Sequence, residues 1–133
     1  MPVYNEALLM QALYPGQTIA LFNAEAVTTG EKSLPVHLPA DPRRPNNPVG
    51  LTLQFSAAPG AFTINCQFSE VAADAAYALP LPLSTYQITA ANLDAASGVS
   101  VHVDLPTNAA FFRLYVAAQP ANGAVLLTAT AKR

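Results

Sequence analysis

Ser100, His102 and Asp104 alternate along one short stretch, and between them they hold the side-chain types of a nucleophile, a base and an orienting acid. Nucleophilic catalysis needs those groups joined by short hydrogen bonds. On an extended chain, neighbours two residues apart on one face lie about 6–7 Å from each other. That spacing is too wide for a relay, so the trio reads as three polar residues facing solvent or a partner. His37 is the other histidine, and neither has metal-ligand spacing around it. The eight carboxylates are scattered. Glu70 and Asp74 stand four apart, without the spacing of a calcium loop, and the six glycines form no phosphate-cradling pattern. Cys66 falls among the apolar positions of an alternating stretch and is expected as a buried small hydrophobe. No catalytic residue, cofactor or metal site is expected, and the chain does not read as an enzyme.

Arg113 is the most informative single side chain. It alternates with the inward-looking residues of Phe111–Ala118, beside Phe111 and Tyr115. Its guanidinium can lie across aromatic faces on the outer side of a sheet. Alternatively Arg113 and Tyr115 anchor a subunit contact, where both residue types are favoured. Arg43 and Arg44 invite a similar pair of readings: two solvated arginines, or charges that meet a partner.

The elements that position these residues are strands. Leu51, Leu53 and Phe55 alternate with Thr52, Gln54 and Ser56; Phe62, Ile64, Cys66 and Phe68 alternate with Thr63, Asn65, Gln67 and Ser69. Pro59-Gly60 between them predicts a hairpin. Phe112, Leu114 and Val116 precede Asn122-Gly123 and then Val125, Leu127 and Ala129, which predicts a second, closing hairpin with positive φ at the turn. Further strands are expected at 18–23, at 33–38 as an edge strand interrupted by Pro35, at 85–89 and at 99–104, ended by Pro106. Asn5 can cap a short helix from Glu6 to about Tyr14, with Leu8 and Leu9 on one side, stopped by Pro15-Gly16. So short a helix must dock on its own sheet or on a neighbouring subunit. Five prolines between Pro35 and Pro48 make 35–48 a stiff extended loop. The prediction is all-β: a single-domain antiparallel β-sandwich or jelly roll of about seven or eight strands.

Composition limits the function. At 133 residues the chain has the length of one domain. Only 11% of residues are charged, against roughly 25% in ordinary soluble proteins. The surface must then be Ser, Thr, Asn, Gln and Ala, or be partly covered by partners. A net charge of −2 offers no footprint for nucleic acid, and no apolar run is long enough to span a membrane. One cysteine suits a reducing compartment, and the N-terminal residues lack the basic start of a signal peptide.

Residues 49 to 133 also resemble a family of small structural proteins of tailed-bacteriophage particles. The similarity lies in Leu53-Gln54-Phe55-Ser56-Ala57-Ala58-Pro59-Gly60-Ala61-Phe62, in the segment Gln67 to Tyr77, and in Phe112-Arg113-Leu114-Tyr115-Val116 before the last strand. The resemblance implies a capsid cement or decoration protein of the virion surface, made in the bacterial cytoplasm. It would act as a dimer or trimer bound to the major capsid protein. The interface expected on that reading is Arg43, Arg44, Arg113, Tyr115, Leu8 and Leu9. A tail or neck component is the alternative within the virion. A carbohydrate-binding β-sandwich is the alternative from another class, although the absence of Trp counts against it.

Overall fold

Val49, Leu51, Leu53 and Phe55 bury their side chains while Gln54 between them is exposed. This period of two marks a strand with one wet face. The computed structural model describes residues 11–39 and 48–133, and among them nine strands form two sheets. In chain order they are β1 Gln11–Ala12, β2 Thr18–Glu25, β3 Val36–His37, β4 Val49–Phe55, β5 Thr63–Ser69, β6 Gln87–Thr89, β7 Ser100–Leu105, β8 Phe111–Ala118 and β9 Leu127–Lys132. One sheet runs β1-β3-β8-β5-β6 and the other β2-β9-β4-β7. The inner faces meet in a single apolar core that includes Phe22, Leu53, Phe55, Ile64, Phe112, Leu114 and Leu127. The molecule is an all-β sandwich.

All pairings are antiparallel except β1 with β3. Four of them nest: β2 with β9, β3 with β8, β4 with β7 and β5 with β6. The eight strands therefore run out and back like one long hairpin. Rolling that hairpin up adds two more contacts, β9 against β4 and β8 against β5.

Both expected hairpins are overturned. β4 and β5 lie in different sheets, and so do β8 and β9. Residues 56–62 and 119–126 are arches that carry the chain across the core. Alternation alone cannot separate the two arrangements, because strands side by side and strands facing each other both turn their apolar residues to the same core. Gly60 does adopt the positive φ (+71°) of its Pro-Gly turn, whereas Gly123 is not among the positive-φ residues. The arches dock on each other: Ala121 N–H donates to the Ala61 carbonyl and Asn122 N–H to that of Pro59, both at 2.9 Å.

The N-terminal helix meets a correction at its far end. Gln11 and Ala12 form a strand, paired in parallel with Val36 and His37, and Leu13 N–H continues that ladder to the His37 carbonyl. Leu13 is fully buried, which holds this segment against the core. The rest of the expected helix, with Leu8 and Leu9, lies outside the described residues. So do Arg43, Arg44 and residues 40–47 of the proline-rich loop. The strand expected over 33–38 shrinks to Val36–His37, lying between β8 and β1 rather than at the edge. Pro35 has no N–H to extend it. The 85–89 strand is likewise shortened by one helical turn, Leu83–Tyr86.

Candidate functional site

Strand β7 lays Ser100, His102 and Asp104 opposite Gln54, Thr52 and Gly50 of β4. His102 uses both ring nitrogens: Nδ1 shares a hydrogen bond with Thr52 Oγ1 at 2.9 Å, and Nε2 lies 3.4 Å from Asp104 Oδ1. Gly50 lies beside that pair, and a Cβ there would only touch Asp104 Oδ1, at 3.4 Å. Ser100 turns away, its hydroxyl bonded to that of Ser97 at 3.0 Å. Ser97 belongs to a turn whose N–H groups are held by Asp94. Among the described residues no base is directed at the Ser100 hydroxyl, and the surface here is an open groove on the outer face of the four-stranded sheet. His37 sits on the other sheet, its ring against Phe111. Cys66 is fully buried, and burial pushes its thiol up to about 12. It is an inert packing residue, as its position in the alternation predicts.

The denser constellation surrounds Arg113. This residue points to the outer face of the five-stranded sheet, yet only 5% of it is exposed. What covers it is the segment after β5. Phe68 and Ala78 exchange backbone hydrogen bonds in both directions, so residues 69–77 fold back over the sheet. Within that segment a single 3₁₀ turn, Asp74–Ala76, brings a carboxylate and an aromatic ring to the guanidinium. Arg113 Nε donates to Gln67 Oε1 on β5 at 2.9 Å, one terminal nitrogen donates to Asp74 Oδ1, and the other donates to the Asp74 carbonyl at 3.3 Å. The Tyr77 ring lies 4.2 Å from the guanidinium carbon. Lys32 Nζ reaches both Asp74 oxygens, at 3.1 and 3.2 Å. The hydrogen bonds from Arg113 and Lys32 hold the Asp74 carboxyl below its ordinary value of 3.8. This arrangement fastens a loop to a sheet and leaves no free acid or base.

Of the interface residues expected from sequence, Arg113 thus commits its guanidinium within the chain. The aromatic face under it belongs to Tyr77, not to Phe111 or Tyr115. Tyr115 is half-buried on β8, bridged to the backbone of Lys32. Sequence reasoning missed Asp74 as the partner of Arg113 and Lys32 as the second cation on that carboxylate. The available signal was a lone arginine at an outward strand position with a glutamine, Gln67, on the neighbouring apolar strand; nothing local pointed to residue 74.

Exposed apolar side chains lie elsewhere, at Leu34, Val71, Leu81 and Leu83 among others. A wide groove lined by Tyr14, Gln17, Thr18 and Ile19 runs beside the outer edge of β2. Among the described residues no three His, Cys, Asp or Glu side chains are grouped as metal ligands, and no helix is long and apolar enough to cross a membrane. Comparison with family models, with curated proteins and with solved structures found no match.

Proposed function

We propose that the chain is a non-enzymatic virion structural subunit of jelly-roll type, acting as a capsid cement or decoration protein on the major capsid protein of a tailed bacteriophage. The observation that carries this reading is the nested strand order, 2-9-4-7 in one sheet and 3-8-5-6 in the other. An antiparallel ribbon of four strand pairs, rolled into a sandwich, is the jelly-roll plan, which recurs in viral capsid and lectin domains. Such a fold hosts many functions, so the surface must choose among them. Here the histidine–carboxylate pair and the arginine cluster are both occupied by neighbours in the chain. The outward faces carry mostly Thr, Ser, Gln and Ala, with exposed leucines at Leu34, Leu81 and Leu83. That combination suits repeated packing against other subunits better than a solvated enzyme surface.

The test is quantitative mass spectrometry of purified particles, followed by binding of the isolated protein to capsids that lack it. A copy number that follows the capsid subunits, and saturable binding to the bare lattice, is the expected outcome. A copy number matching a tail or neck ring would move the protein along the particle. Absence from particles would end the virion reading. Arg43→Ala with Arg44→Ala is expected to weaken attachment without lowering Tm.

A further inference from the structure

Asn122-Gly123 is the chain's single Asn-Gly pair, and in place of the expected hairpin it opens a turn inside an arch, where Val125 N–H donates to the Asn122 carbonyl at 3.3 Å. Asn122 is exposed and lies where the two arches dock. Its Oδ1 accepts from Ala124 N–H at 3.3 Å, and its Nδ2 donates to the Ala58 carbonyl at 3.4 Å. Gly123 has open space on its Cβ side, and its N–H donates no hydrogen bond among the described residues. We infer that Asn122 is a self-modification site, at which the Gly123 amide nitrogen closes onto Asn122 Cγ and the resulting aspartate or isoaspartate opens the contact between the arches.

The step needs only water and hydroxide. Hydroxide removes the Gly123 N–H proton, and the nitrogen forms a bond to Asn122 Cγ. The negative charge that develops on Oδ1 meets the Ala124 N–H already aimed at it, a single donor of the oxyanion-hole kind. The Cγ–Nδ2 bond then breaks, and the nitrogen leaves as ammonia with a proton from water. Water adds to one carbonyl of the five-membered imide and opens it. Attack at one carbonyl restores the normal backbone as aspartate, and attack at the other routes the backbone through the side chain as isoaspartate. No oxidation occurs. Aspartate replaces the Nδ2 donor with a carboxylate oxygen facing the Ala58 carbonyl, so an attractive contact becomes two opposed acceptors. Isoaspartate loses that donor because Cγ has become part of the main chain and the new carboxylate sits on the former backbone carbon. Isoaspartate also lengthens the main chain by one carbon, shifting the amides that bond Pro59 and Ala61. The result is a slow, one-way loosening of one end of the sandwich. It does not depend on the capsid reading.

The experiment is to hold the folded full-length protein at a series of mildly alkaline pH values. Asparagine conversion is followed by peptide mapping, released ammonia and isoaspartyl methyl transfer. Conversion is expected at Asn122, faster with hydroxide, while Asn23, Asn65, Asn92 and Asn108 persist. Gly123→Ala should slow it on the order of tenfold, because a Cβ narrows the backbone freedom that ring closure uses. Amide exchange at Ala121 and Asn122 should quicken in step with conversion, and in Asn122→Asp from the outset. Two results overturn the inference: Asn122 staying intact in the folded chain while it converts in urea, or conversion that leaves those two amides as protected as before.

Discussion

Asp74 is the residue on which the outer face of the five-stranded sheet turns, because its side chain bonds both Arg113 and Lys32. Its carboxyl is lowered by those two cations, so the folded state holds the charged form more strongly than the unfolded chain does. By linkage, that stabilisation is fully present above the ordinary value of 3.8 and is lost as pH falls through the lower folded value. Tm measured against pH is therefore expected to drop on the acid side, and Asp74→Asn should lower Tm at neutral pH while flattening the acid limb. An unchanged acid limb in that variant would assign the drop to other carboxylates. Arg113→Ala removes the buried side of the same clamp and leaves Gln67 Oε1 without its donor. Equilibrium urea unfolding should register a loss of about 2–3 kcal/mol. Cys66 responds at the opposite end of the pH scale. Its folded value of about 12 exceeds the ordinary 9.0, so the benefit of keeping the thiol protonated is complete below 9.0 and wanes as pH rises toward 12. A thiol reagent at pH 8 should label the chain only once denaturant unfolds it; prompt labelling of the native protein would contradict the burial.

At the level of elements, the arches decide how the strands are partnered. Gly60 holds φ at +71°, and a Cβ there would stand 3.0 Å from the Ala121 Cβ of the other arch. Gly60→Ala combines a left-handed backbone with a steric clash, and a loss of about 1–2 kcal/mol or more is expected from urea unfolding. Gly123→Ala, in open space and without positive φ, should cost about 1 kcal/mol less than that or nothing at all. These two glycines also mark where the sequence was legible and where it was not. The strands β4, β5, β7, β8 and β9 follow from period-two alternation, β2 was legible only as an apolar run, and the two-sheet sandwich follows from their number. The partnering did not follow, because Leu53 and Ile64 would point into an apolar layer whether their strands lay side by side or face to face. Asn-Gly and Pro-Gly are equally compatible with a hairpin and with an arch. The Arg113 clamp was hidden for a related reason: residues 74 and 113 meet only because a loop folds back over the sheet, and no local pattern encodes that return. The single pair of strands that are neighbours both in sequence and in a sheet, β5 and β6, is separated by a 17-residue excursion (70–86) that holds the clamp.

For the whole molecule, almost every strand pairing joins distant parts of the chain, β2 with β9 being the extreme. Such topologies close long loops before their contacts form, so folding is expected on a millisecond-to-second scale. Stopped-flow refolding from urea measures this directly, and a microsecond phase carrying the full amplitude would contradict the strand order. Leu53 and Leu127 lie on neighbouring strands in the shared core, both fully buried. Truncating either to Ala should cost about 2–5 kcal/mol. The position of β9 has a further consequence for biosynthesis. Residues 127–132 are made after all the other described strands, yet they fill the interior slot of their sheet, between β2 and β4. A ribosome can therefore release β2 and β4 into the cell with a vacant lane between them, each offering unpaired backbone to any passing strand. The native sheet assembles only when that lane is filled from behind, which makes the interval before residue 132 emerges the moment at which the nascent chain most needs a chaperone's cover.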